Sequence, residues 1–162
     1  MPVKNLNDLF VHTLQDIYYA EHQILKALPK MAKKARSSPL RQAFEAHEAE
    51  TREQVTRLEE VFRLAGAEAE GETCPAIDGI IEEAEGLMEE IDDADTLDAA
   101  MIAAAQAVEH YEIARYGTLV SWAESLGIQE AVDVLRRTLA EEKDTDSKLT
   151  RLAEDQLNAR AV

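Results

Sequence analysis

The sequence predicts an all-α fold, a four-helix bundle of two antiparallel hairpins joined by a long crossover that carries a short extra helix. Three observations carry that prediction. Of 162 residues 46% are hydrophobic and 31% charged, with only 6 Gly and 4 Pro, and Ala, Glu and Leu dominate; that mix favours helix over strand and is too apolar for disorder. Four long segments repeat apolar residues at steps of three and four, the period of one helix face. Apart from Pro29 in the first, the breakers that end these segments, Ser37-Ser38-Pro39, Gly66 and Gly127, fall between them.

The first helix is expected from about Leu6 to Ala35, with Asn5 as its N-cap, Asp8 in its first turn and a kink at Pro29. The run Ser37-Ser38-Pro39 breaks the pattern, and Ser38 is expected to cap a second helix whose first position is Pro39. Gly66 ends that helix, and residues 66–75 form a polar loop. A modest helix follows, from about Ala76 to Ile91, then the acidic turn Asp92-Asp93-Ala94-Asp95. The third long helix starts near Thr96 and stops at Gly127; the fourth runs from about Gln129 almost to the end. Short connections make each pair an antiparallel hairpin, and the connection of about thirty residues between the pairs is long enough to return along the bundle. Two hairpins with one long crossover is the ferritin-like plan, and the length suits a single domain spanning 1–162.

Charge and composition exclude several functions. A formal net charge of −16 repels nucleic acid and anionic membrane surfaces. No run of about 18 apolar residues is present to span a bilayer. The first eight residues, Met1 to Asp8, lack the apolar region of a secretory signal, so the expected compartment is the cytoplasm. The lone Cys74 permits neither an internal disulfide nor a cysteine-rich metal site and reads as a packed thiol. Phosphate loops, nucleophile elbows, HExxH and CxxC are all missing.

What remains is a polar anomaly on apolar stripes. The first helix presents Phe10, Leu14, Ile17, then Glu21, then Ile24 or Leu25, then Leu28. The second presents Leu40, Ala43, His47, Glu50, Gln54, Leu58 and Val61; the third Met101, Ala105, Val108 or Glu109, Glu112, Tyr116 and Leu119; the fourth Leu135, Leu139, Glu142, Asp146, Leu149 and Leu152. The third helix is apolar almost all round, so its two glutamates have little solvent to face. A buried, unpaired carboxylate protonates rather than stay charged, and six in one core repel one another. Two multivalent cations relieve both penalties, and oxygen-rich ligation suits hard ions. The metal candidates are therefore Glu21, Glu50, Glu109, Glu112, Glu142 and Asp146, with Gln54 and His47 as weaker ligands or orienting groups.

The halves also repeat. Glu21 and Glu50 lie 29 positions apart and Glu112 and Glu142 lie 30 apart, so the hairpins read as two copies of one unit offset by one loop residue. His110 reads as a hydrogen-bonding neighbour, and His12 and His22 as surface or interface groups. Tyr18, Tyr19, Tyr111, Tyr116 and Trp122 read as packing, and Glu53, Glu59 and Glu60 as the wet face of the second helix.

The segments Leu14–Glu21, His47–Thr51, Ala105–Glu112 and Thr138–Asp146 resemble the bacterial YciE/YciF ferritin-like stress proteins across essentially the whole chain, and the Glu109-His110-Tyr111-Glu112-Ile113 block is fairly specific. That resemblance implies a rubrerythrin-related fold, a dinuclear metal centre, a homodimer and an association with stress. Matched to the wider rubrerythrin pattern, Glu21, Glu50, Glu109, Glu112 and Glu142 fit. Gln54 or Glu53 stands where the second-helix His would be, and Asp146 replaces the fourth-helix His. The functional expectation is a protein binding two metal ions, iron first and manganese second, with ferroxidase or peroxide-scavenging activity on Fe(II) and O2 or peroxide. The alternative is a non-catalytic dimeric scaffold in which metal is structural.

Overall fold

The computed structural model describes residues 3–162. Helix α1 spans Leu6–Lys34, α2 Ser38–Leu64, α3 Pro75–Glu90, α4 Ala94–Leu126 and α5 Gln129–Leu152. The last helix runs on through a π-helical turn, Ala153–Leu157, into a final short helix, Asn158–Arg160. There are no strands among the described residues.

Each boundary has a local cause. Asn5 Oδ1 accepts the Asp8 N–H, capping α1, and the helix continues past Pro29 to Lys34. The second helix starts one residue earlier than the sequence suggests, with Ser37 at the N-cap and Ser38 inside the helix. Neither serine side chain caps it. Asp98 of α4 instead fixes the turn just before it, accepting the Arg36 N–H at 2.9 Å and the Ser37 N–H at 2.7 Å. At the far end, Gly66 adopts φ +69° while Ala67 N–H donates to Phe62 and Gly66 N–H to Arg63, a Schellman stop. Gly127, at φ +73°, ends α4 in the same way. Asp93 caps α4 at Thr96, which moves its start two residues ahead of the expected Thr96.

The hairpins α1–α2 and α4–α5 pack side by side, α1 on α4 and α2 on α5, and α3 lies outside the square against α4 and α1. Because Asp98, near the start of α4, holds the turn before α2, those two helices begin at the same end and run parallel. The crossover therefore travels the bundle length. Its loop presses close to α1: a Cβ on Gly71 would meet Tyr19 Cβ at 3.2 Å, and Glu72 N–H donates to the Gln15 carbonyl.

The internal repeat is tighter than the sequence reading has it. Ser38 and Gln129, the first residues of α2 and α5, are 91 positions apart, as are Glu21 and Glu112. Burial follows that one offset: Phe10 with Met101, Leu28 with Leu119, Leu40 with Ala131, Phe44 with Leu135 and Leu58 with Leu149 are all buried. No loop residue intervenes, so the expected one-residue slip between the hairpins is corrected. The inner row of α2 accordingly runs through Phe44, His47, Thr51 and Gln54, not Ala43 and Glu50, and that of α5 through Leu135, Thr138, Glu142 and Thr145.

Candidate metal centre

Four helices bring charge to one dry point halfway along the bundle. Glu21 comes from α1, His47 from α2, Glu109 and Glu112 from α4 and Glu142 from α5, and none is more than 3% exposed. The steps between Ala105, Glu109, Glu112, Tyr116 and Leu119 keep one face of α4 inward, so its two glutamates point the same way without breaking the helix. One ligand atom from each of His47, Glu109, Glu112 and Glu142 falls within 4.8 Å of the others. His47 Nδ1 is 3.1 Å from Glu109 Oε1, and its Nε2 is 3.7 Å from Glu142 Oε2. Glu21 joins through Tyr116, whose hydroxyl donates a short hydrogen bond to Glu21 Oε1, and through a bond with Glu112.

The electrostatics are those of an under-compensated acid cluster. Burial lifts Glu21 to about 7, against the opposing pull of its bonds to Glu112 and Tyr116. Burial lifts Glu109 to about 8, aided by the charges of Glu21, Asp146 and Glu50 and opposed by its bond with Glu142. Glu112 and Glu142 rise well above the ordinary carboxylate range, through burial first and neighbouring carboxylates second. Burial, with the Lys148 cation, lowers His47 to about 4, so its imidazole is neutral and has a lone pair to give. No Lys or Arg among the described residues forms an ion pair with Glu21, Glu109, Glu112 or Glu142. Seven of their carboxylate oxygens, together with His47 Nε2, find no hydrogen-bond partner outside the cluster. Orphaned acceptors at this density are unusual in a protein interior. A bound cation would satisfy them together, and three carboxylates with one imidazole form a donor set suited to iron, manganese or zinc.

The other candidates sit at the margin. Glu50 is half-buried and accepts a 3.3 Å bond from Thr145 Oγ1. Asp146 is also half-buried, held by Gln106 Nε2 at 3.0 Å and by exposed His110 at 3.2 Å. Gln54 is buried, but its amide donates towards Glu141, which Arg57 clamps with bonds of 2.6 and 2.9 Å. The Arg57 guanidinium is thus spent one residue away from Glu142. Glu53 and Glu59 are exposed, His12 pairs with Glu72, and His22 meets the Tyr18 ring edge-on at 4.7 Å. Cys74 is buried, caps α3 at Ile77 and lies 3.0 Å from the Tyr111 hydroxyl.

Two features escape the sequence reading. Asp98 is a buried carboxylate that serves the α1–α2 turn; Asp98 lies on the same α4 face as Met101 and Ala105, and the only sequence signal is that position. The second is a narrow apolar cavity between α1, α3 and α4, lined by Ile24, Ala27, Leu28, Met31, Ile81, Ala84, Ala104, Ala105 and Val108, which ends on His47 and Glu109. Alanines facing one another across helices give no sequence signal of a gap.

Comparison with known proteins gives these numbers a frame. A family model described as "Domain of unknown function (DUF892)" matches residues 5–162. Protein YciF of Escherichia coli (strain K12) is 45% identical over 162 residues, covering 99% of this chain and 98% of that one. The crystal structure of that protein, described as a stress protein, superposes with a TM-score of 0.92 over 96% of this chain and 99% of the other. YcfI of Rhodopseudomonas palustris, for which a structural role has been suggested, is 51% identical with a TM-score of 0.90 over 91% and 94%. A protein of Xanthomonas campestris pv. campestris, 23% identical with a TM-score of 0.75 over 96% and 95%, shares the fold.

Proposed function

This chain belongs to the DUF892 family, and on that premise we propose that it is a metal-binding stress protein, one domain over 1–162, whose buried cluster takes up two metal ions and oxidises Fe(II). The observation that carries the reading is the set of orphaned acceptors on Glu21, His47, Glu109, Glu112 and Glu142 at a point without a compensating cation. Glu109, Glu112, Glu142 and His47 are the residues to hold the ions, with Glu21 beside them and half-buried Glu50 and Asp146 extending the acidic path towards solvent. In the proposed reaction two Fe(II) substrates give one electron each to one dioxygen, which takes up two protons and leaves as hydrogen peroxide. The chain contributes placement and protons. The buried carboxylic acids give up protons as cations arrive, and Tyr116 fixes the Glu21 carboxylate by its hydroxyl. Buried Ile17, Ile24, Ala105 and Tyr116, each one turn from a cluster residue on the same helix, keep water out. The same oxygen-rich set suits manganese, with peroxide as the substrate.

A second reading follows from the structural role suggested for YcfI, in which a dimer of this chain is a scaffold and the metal only offsets buried charge. Fe(II) added under air to metal-free protein separates the two. Saturable oxidation at about two irons per chain, lost in Glu21→Ala and Glu112→Ala, supports the oxidase. Metal uptake with no oxidation above the buffer rate supports the scaffold, and no uptake of any divalent ion overturns both.

A further inference from the structure

The cavity between α1, α3 and α4 has one polar end. Of its lining, Ile24, Leu28 and Met31 belong to α1, Ile81 and Ala84 to α3, and Ala104, Ala105 and Val108 to α4; only His47 and Glu109 are polar, and both belong to the acid cluster. The gap exists because small residues, Ala27, Ala84, Ala104 and Ala105, meet where three helices cross. Its mouth is formed by the partly exposed Ala27, Ile81, Ala104 and Val108. The space open to the centre of a water-sized sphere is about 20 Å³, enough for one such particle. A water molecule there would find polar partners only at the inner end, and apolar cavities of this kind stay dry and take up xenon or other apolar guests. A hydrated metal ion does not fit, and a bare one would cross a lining with no ligand before Glu109.

We infer that this cavity is the path by which dioxygen, a small neutral apolar molecule, reaches the metal centre, separate from the polar side on which Glu50 and Asp146 stand. The inference rests on the metal reading above and deepens it. It gives α3 a role: a helix that supplies no buried ligand forms one wall of the passage. It also makes the site selective. Hydrogen peroxide, with two O–H donors to satisfy, gains little from an apolar tube and is expected to enter by the polar side.

The test fills the passage from α3 with Ala84→Leu and, independently, from α1 with Ala27→Leu, neither of them a residue of the acid cluster. Xenon added to metal-free wild-type protein is expected to shift the methyl resonances of Ile24, Ile81 and Val108, and to lose that effect in Ala84→Leu. Anaerobic Fe(II) binding is expected to stay at the wild-type level in both variants. Oxidation of the preloaded protein by dioxygen is expected to fall by about tenfold or more, and oxidation by hydrogen peroxide to fall less. Failure of wild-type protein to bind iron sinks the metal reading, and the passage with it. Iron uptake with unchanged dioxygen rates in both filled variants, an equal loss for peroxide and dioxygen, or no xenon effect in wild-type protein overturns the passage alone.

Discussion

Replacing Glu109 by Gln in the metal-free protein is expected to stabilise it, against the usual cost of a core substitution. Glu109 holds its proton to about pH 8 in the folded chain, against 4.5 for an ordinary glutamate. A raised acid pKa destabilises the fold as pH rises. Above 4.5 the unfolded chain has released a proton that the folded chain still binds, and the penalty grows until both have released it near 8. At about 1.4 kcal/mol per unit over a gap of about 3.5 units, the penalty at pH 8 is between about 4 and 5 kcal/mol, while at pH 5 it is below about 1. Glutamine keeps the shape and has no proton to hold. Urea denaturation after chelation is therefore expected to show Glu109→Gln more stable than wild type by a few kcal/mol at pH 8 and close to it at pH 5. With saturating metal the order is expected to reverse, because a ligand is gone and a hundredfold loss of affinity removes about 2.7 kcal/mol of binding stabilisation. A metal-free variant less stable than wild type at pH 8 would refute the reasoning, since Glu109 would then be ionised and satisfied by a partner.

Metal binding at pH 7 is expected to release at least one proton per chain, because Glu109, Glu112 and Glu142 carry raised proton affinities and His47 is already neutral. Calorimetry in buffers of different ionisation enthalpy measures the number, and a value of zero contradicts it. Tyr116→Phe removes the donor that lowers Glu21, so the Glu21 carboxyl is expected to titrate above about 7, as read from the carbon chemical shift of labelled glutamate. Asp98→Ala strips two charge-assisted bonds from the α1–α2 turn and is expected to cost about 3 kcal/mol in urea denaturation. Gly127→Ala places a side chain at φ +73° and is expected to cost about 1–2 kcal/mol in the same assay.

The bundle was legible because α1 and α4 carry dense apolar rows, so Glu21, Glu109 and Glu112 stand out against Leu14, Ala105 and Leu119. Helices α2 and α5 are more polar, and a step of three cannot be told from a step of four when few apolar residues anchor the row. Ala43 and Glu50 took the places of Phe44 and Thr51 for that reason. The same slip hid the exact repeat and gave Asp146 the inward position that belongs to Thr145. His47, a secondary candidate on sequence grounds, lies among the glutamates because it shares the inner row of α2 with Phe44 and Thr51. Asp98 and the passage to Glu109 depend on contacts between distant elements, which periodicity does not encode.

The 91-residue register has a practical corollary for protein engineering. It pairs each position on one hairpin with a twin on the other, and the acids are only partly matched: Glu21 answers Glu112, but Tyr18 answers Glu109 and Thr51 answers Glu142. The second hairpin thus supplies three of the four buried glutamates, and the first supplies Glu21 and His47. The ligand set could be made symmetric by exchanging Tyr18 and Thr51 for glutamates, with the second hairpin as the template for each side-chain position.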